Sequence, residues 1–110
     1  MPDLPTSDEN LFDVVTPLGF RVRVSRRYWD FVTEKHPVMS GREGDVRVTL
    51  EKPDEVRQSR QDPEVYLFYH GQGLRRWVCA VAKRLDETTG HLVTAYPTDA
   101  IKQGERVWPK

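Results

Sequence analysis

The stretch that decides the fold is VYLFYHGQGLRRWVCAVAKRLDETTGHLVTAYP, residues 65–97. It holds three strand-like runs, rich in β-branched and aromatic residues, at 65–70, 76–83 and 91–96. A turn at Gly71–Gly73 and the polar segment LDETTGH separate these runs, and Pro97 is predicted to end the last one. Short connections of this kind predict antiparallel neighbours. The middle run is apolar on both faces, which is typical of a central strand.

A weaker strand is predicted directly before this stretch, from Glu55 to about Arg60. The four runs together predict an antiparallel meander of about four strands. Upstream, Ser25 is a good N-cap for a helix in RRYWDFVTEKH, and Pro37 is expected to end that helix at or before His36. The next segment, REGDVRVTLEKP, alternates like a strand but also carries a helical apolar stripe, so its pattern leaves both structures open.

The N-terminal part predicts a further hairpin, because LFDVVTPLGFRVRVS reads as two short strands around a Pro-Leu-Gly turn. Its pairing with the main sheet stays open. We therefore predict one α+β domain over residues 11–110, with one or two helices packed on one face of the sheet. The predicted segments are a disordered acidic leader (1–10), the hairpin (11–24), a helical part (25–53), the antiparallel sheet (54–97) and a tail (98–110).

Composition limits the classes of function. The 110 residues suffice for one core, and the 17 basic and 17 acidic side chains argue against a generally basic nucleic-acid coat. The first 20 residues carry four acidic and no basic side chains, so the remainder is mildly basic. This charge distribution fits a weak local anion site or an ordinary soluble domain. Because the sequence has no membrane-length apolar run and no signal-peptide pattern at its N-terminus, we expect a cytoplasmic protein.

Several kinds of site are excluded by the motifs. The three histidines and Cys79 do not lie at metal-ligand spacing, and the chain has no Gly-rich phosphate loop or nucleophile elbow. We therefore predict no metal and no cofactor. Cys79 lies in the apolar run WVCAVA, which indicates a buried structural thiol rather than a nucleophile. His70 and His91 flank turns and are predicted to be surface residues.

His36 is the candidate for acid–base chemistry, because the dipole at a helix C-terminus favours the protonated imidazole. It also fits a simple helix-capping role. Arg57 and Arg60 present guanidinium forks that suit phosphate, but their spacing would put them on opposite faces of an extended strand. We favour Arg60, which lies nearer the turn. Both arginines also fit an ordinary solvated edge strand.

Further candidates lie on the predicted strands. Tyr96 and Thr98 share one face at the end of the last strand, where their hydroxyl groups can orient a substrate. Tyr96 would transfer protons only if a nearby cation lowered its pKa. Tyr66 and Tyr69 are candidate surfaces for base stacking, although ordinary core packing explains them equally. Lys83 would reach a phosphate or extend from the core into solvent.

The order of KHP, LEKPDEVRQSRQDPEVYLFY, WVCAVAK and LVTAYPTDAIKQGE, over about residues 27 to 106, resembles a bacterial and phage-associated family of small domains. That family is similar to the barnase–EndoU–colicin–RelE-like superfamily of metal-independent ribonucleases. The resemblance implies a helix in REGDVRVTLEKP and a four-stranded antiparallel sheet. It also implies one cleft in which His36 is the acid–base group, Arg57 or Arg60 binds phosphate, and Tyr96 or Thr98 orients RNA. The N-terminal hairpin is not part of the resemblance.

The expected function is therefore metal-independent RNA cleavage, in which the 2′-hydroxyl group attacks the neighbouring phosphorus. A toxin-like protein of this kind would have an antitoxin or immunity protein as its partner. The alternatives are a non-catalytic module that binds RNA or a protein, and an accessory structural domain. Convergence of His36 with one arginine would favour cleavage, and a wide separation would favour binding.

Overall fold

The computed structural model describes residues 9–101 and 103–109, and these residues form seven β-strands and two α-helices. The strands are Asn10–Val15 (β1), Arg21–Ser25 (β2), Glu55–Gln58 (β3), Val65–Gly73 (β4), Arg76–Arg84 (β5), Thr89–Thr98 (β6) and Glu105–Trp108 (β7). The helices are Arg26–Lys35 (α1) and Glu43–Glu51 (α2), with a short 3-10 helix at Pro37–Met39 between them. The predicted acidic leader lies outside the described residues as far as residue 8, and β1 begins at Asn10.

All seven strands belong to one mixed sheet with the order β1-β2-β6-β5-β4-β3-β7. The α+β class and the antiparallel meander β3-β4-β5-β6 are confirmed, but the predicted sheet of about four strands is too small. The hairpin β1-β2 joins the sheet because β2 pairs in parallel with the first residues of β6. At the other edge, β7 pairs with β3. The predicted tail therefore contains a strand that its four-residue length concealed.

Two predicted strand ends are wrong. Gly71–Gly73 belongs to β4, and the turn lies at Leu74–Arg75, where Arg75 has a φ of 56°. Pro97 lies inside β6, opposite Val78, and does not end the strand. Within the described residues β6 pairs with β2 only as far as His91, so Pro97 lies at an open edge where its missing N–H removes no ladder hydrogen bond.

Helix α1 has a local start and stop signal, whereas α2 is selected by burial of one of its faces. The Ser25 hydroxyl oxygen accepts a hydrogen bond from the Tyr28 backbone N–H at 3.1 Å, which confirms the predicted N-cap. Helix α1 ends before His36, as predicted from Pro37. Helix α2 resolves the ambiguous segment, because its buried residues form the apolar stripe of a helix. These buried residues are Val46, Thr49 and Leu50.

The sheet has two unlike faces. The helices cover one face, where the main core includes Phe20, Trp29 and Phe68. On the opposite face, called here the far face, the described residues form a smaller cluster that contains no helical side chain. Its buried members are Leu67, Tyr69, Cys79 and Val81. Ile101, which follows β6, packs on this cluster. In the part of the chain that the structure describes, the helices are too short or too polar to cross a membrane.

Candidate functional site

His36, Tyr96 and Thr98 lie together at one end of β6. His36 caps α1 through its backbone N–H, which donates a 2.9 Å hydrogen bond to the Val32 carbonyl oxygen. Its imidazole lies 5.9 Å from the Tyr96 ring, measured between centroids. Thr98 follows two residues later, on the same strand face, and its hydroxyl donates to the Ala100 carbonyl oxygen at 3.1 Å. The predicted contact between the histidine and the polar end of the last strand is therefore present.

A contact with the open edge of β6 fixes the position of α1. The Tyr28 hydroxyl donates a 2.5 Å hydrogen bond to the Val93 carbonyl oxygen of β6, beyond the residues that pair with β2. This bond satisfies a carbonyl group on the open edge and holds the helix beside the strand. The C-terminus of α1 consequently lies beside Tyr96.

Arg57 does not join this group. It lies on β3, and three inter-strand steps separate β3 from β6. At about 4.8 Å a step, the distance across the sheet is about 14 Å. The Arg57 Nε donates to Glu55 Oε2 at 2.6 Å, and its Nη1 donates to the Gly104 carbonyl oxygen at 3.3 Å. Arg57 therefore already has an anionic partner, and it cannot share one phosphate with His36.

Arg60 lies outside β3, which ends at Gln58. The expectation that Arg57 and Arg60 alternate across one strand therefore does not apply. Arg60 is exposed in the β3–β4 turn and lines a hollow of about 390 Å³ together with Gly104. Both arginines thus lie beside Gly104, at the sheet edge remote from His36. The single cleft implied by the resemblance is not formed by this set of residues.

The tyrosines on the far face form part of a buried row. Glu55, Tyr69, Cys79 and Tyr96 are direct neighbours in register on β3, β4, β5 and β6. Tyr69 is only 2% exposed and cannot stack on a base. Burial and the neighbouring Cys79 raise the pKa of Tyr69 and Tyr96 well above the usual range. The condition for proton transfer by Tyr96, a pKa lowered by a cation, is therefore not met.

The remaining predicted residues are dispersed. Tyr66 faces the helices and packs 6.0 Å from the Phe20 ring, with partial exposure. Lys83 lies at the opposite end of the sheet from Thr98, and its Nζ is 3.4 Å from Asp62 Oδ2. His91 is exposed. The His70 Nδ1 lies 2.9 Å from the Lys52 carbonyl oxygen.

Cys79 is fully buried, as predicted for a structural thiol. Burial raises the pKa of its thiol to about 11, and hydrogen bonds with Tyr96 and Tyr69 offset this effect in part. At neutral pH the group is therefore a thiol rather than a nucleophilic thiolate.

Sequence reasoning missed a groove beside Thr98. It has a volume of about 410 Å³. Its polar and aromatic lining residues are Arg42, Gln72, Arg76, Trp77, Thr98 and Asp99. Arg42 donates through Nε to Asp45 at 2.8 Å and through Nη2 to Gln72 at 3.3 Å. Arg76 is exposed. In the sequence, the run LRRW at the start of the central strand places Arg76 beside Trp77 and was the one signal for this groove. Arg42 joins the groove only through the tertiary structure, so its sequence position gave no signal.

Among the described residues, no group of three or more His, Cys, Asp or Glu side chains has a geometry that could hold a metal ion. Comparisons of the chain with protein-family models, with curated proteins and with solved structures find no match.

Proposed function

We propose that the chain is an RNA-binding module that holds single-stranded RNA in the groove between Arg42 and Arg76. The observation that carries this proposal is that two arginines line one groove with the partly exposed indole of Trp77. Guanidinium groups suit phosphate oxygens, and an aromatic face supports base stacking without sequence preference. The resemblance to ribonucleases directs the proposal to RNA rather than DNA.

The charges around the groove set the expected strength of binding. Arg42 is bonded to Asp45, and Asp99 also lines the groove, so part of the positive charge is offset. Arg76 is exposed and is the stronger candidate for direct phosphate contact. Binding should therefore be weak and sensitive to salt, since it depends on few cations.

RNA cleavage is the second candidate, and the contact of His36 with Tyr96 favours it. The reaction needs a base for the 2′-hydroxyl proton and an acid for the departing 5′-oxygen. His36 can supply one of these groups. Tyr96 keeps its proton because burial raises its pKa, so it cannot serve as the base and is a weaker acid than an ordinary tyrosine. Cleavage that depends on this weak acid, or on water, to protonate the leaving oxygen would be slow.

Fluorescence anisotropy with a short labelled RNA in EDTA tests the binding proposal. The double variant Arg42→Gln/Arg76→Gln should lose about tenfold in affinity, since a hydrogen bond to a charged group contributes about 1.5 kcal/mol or more. The dependence of log K on log salt should become shallower by about 1.4, at about 0.7 for each phosphate contact to a single strand. Arg106→Gln, at an exposed position of β7, is the matched control and should bind normally.

Equal losses in the double variant and in Arg106→Gln would show nonspecific attraction and contradict the proposal, as would an RNA that fails to bind at all. Gel analysis of the same samples tests cleavage. Products that accumulate with the wild type in EDTA, and not with His36→Ala, would establish the second candidate. Intact RNA with both proteins would reject it.

A further inference from the structure

We propose that Arg23, His91 and Lys83 form a phosphate-binding site on the far face, separate from the groove. The three residues are direct neighbours across β2, β6 and β5, because Arg23 pairs with His91 and His91 pairs with Lys83. All three point to the far face, since Val22, Leu92 and Ala82, which alternate with them, are buried in the main core. We call this set the basic row.

The basic row places two cationic side chains on either side of one imidazole. Adjacent strands lie about 4.8 Å apart, so the backbones of Arg23 and Lys83 are separated by about 10 Å with the imidazole between them. Long side chains at both ends can converge on one ligand above the imidazole. This arrangement suits a tetrahedral oxyanion such as phosphate.

Among the described residues, Asp13 and Asp62 flank the two ends of the basic row, and Glu64, Asp86 and Glu87 border a hollow that Lys83 also lines. Asp13 Oδ1 accepts from Arg21 at 2.7 Å, while its Oδ2 is 4.0 Å from Arg23, so its main partner is Arg21. Asp62 lies 3.4 Å from Lys83 at the other end. The side chains of Arg23 and Lys83 remain 68% and 43% exposed, respectively. Both cations are therefore only weakly paired and are accessible to a ligand from solvent.

A hollow is present at this position. Strand β2 pairs with β6 only from Arg21 to Arg23, and α1 begins at Arg26, so the chain diverges from β6 there. The resulting space has a volume of about 490 Å³ and is lined by Arg23, Ser25, Tyr28 and His91, among others. Lys83 is not among its lining residues and would have to reach it past His91. It is large enough for a phosphate group and its attached sugar. The ligand class is consequently a phosphate monoester or diester, or inorganic phosphate.

The basic row lies far from the groove. His91 and Thr98 are seven residues apart on β6, which corresponds to about 23 Å. A phosphate bound at the basic row therefore does not depend on the function proposed for the groove. Failure of RNA binding at Arg76 leaves this inference intact, and the two can be tested separately.

The test is an NMR titration of the isotopically labelled full chain with inorganic phosphate, with chloride added to keep the ionic strength constant. We expect saturable shifts at Arg23, His91 and Lys83. Arg23→Gln and Lys83→Gln should each weaken phosphate binding at least fivefold. Arg106→Gln is the matched control, because Arg106 is an exposed arginine of β7, at the opposite edge of the sheet from β2. It should bind phosphate normally.

Shifts that do not saturate, or an equal loss in Arg106→Gln, would overturn the proposal. Melting curves of each variant check that folding is retained. We expect it to be retained, because all three substituted side chains are on the surface. A competition arm with short RNA identifies the source of the phosphate. Displacement of phosphate by RNA would assign the basic row to the RNA backbone, and retention of phosphate would assign it to a free phosphate.

Discussion

Replacing Gly90 with alanine should destabilise the protein strongly, because β6 has no room for a methyl group there. A Cβ atom at this position would lie 2.6 Å from the Lys83 carbonyl oxygen and 2.8 Å from two carbons of the Phe20 ring. The carbonyl belongs to the neighbouring strand β5, and Phe20 is completely buried. Neither group can withdraw without disturbing the ladder or the core.

The magnitude follows from these contacts. Overpacking of a well-packed core costs about 1–3 kcal/mol, and contact with fixed backbone places Gly90→Ala at the upper end, about 2–3 kcal/mol. In a domain of this size each kcal/mol corresponds to about 4–8 °C, so the melting temperature should fall by about 8–24 °C. Gly44→Ala is the matched control, because no heavy atom lies within 4 Å of its added Cβ in helix α2. It should stabilise the fold by about 0.5–1 kcal/mol.

Thermal melts followed by circular dichroism, with urea midpoints as a second measure, give both values from the same preparations. The same Gly→Ala change should therefore lower the free energy of unfolding at position 90 and raise it at position 44. A Gly90→Ala protein that melts within about 2 °C of the wild type would refute the predicted steric clash, since such a shift corresponds to less than 1 kcal/mol. A loss of stability in Gly44→Ala that equals the loss in Gly90→Ala would refute it as well.

Three further predictions concern single side chains. Ser25→Ala should cost about 1 kcal/mol in urea unfolding through loss of the α1 N-cap, and Ser25→Asp should restore it. Arg57→Ala should cost about 1–2 kcal/mol, because it leaves the 19%-exposed Glu55 carboxylate unpaired, yet RNA affinity measured by anisotropy should stay within twofold. The pKa of Cys79 is raised from 9.0 to about 11, so its contribution of about 3 kcal/mol is complete below pH 9 and is lost as pH rises towards 11. In urea titrations from pH 8 to 10, Cys79→Ala should therefore show a flatter decline than the wild type, and parallel curves would contradict this assignment.

The meander was predictable because its signals are local. Three runs of β-branched and aromatic residues, short turns, and the N-cap at Ser25 each act within a few residues. The ambiguous α2 segment had both periodicities, and burial of Thr49 and Leu50 against the sheet selects the helical one. The edge strands depended on distant pairing. Neither the parallel partner of β2 nor the four-residue β7 leaves a pattern in its own segment.

The candidate site was predictable only as single residues. His36 follows a helix end that Pro37 marks, and Tyr96 lies near the end of an obvious strand, but their contact requires the tertiary fold. The spacing of Arg57 and Arg60 could not show that β3 stops between them. The groove escaped detection because Arg42 and Arg76 come from separate elements that meet only after folding.

The sheet order has a consequence for how the chain folds. Strands β3, β4 and β5 each pair with their immediate successor, whereas β2 must find β6 and β7 must find β3 across long stretches of chain. Closing such loops costs entropy before any contact is gained, so local pairings form early and distant ones late. The meander should act as a nucleus, with β2 and β7 adding to it afterwards. Native-state hydrogen exchange should then show amides of β4 and β5 opening only with global unfolding, and those of β2 and β7 opening first.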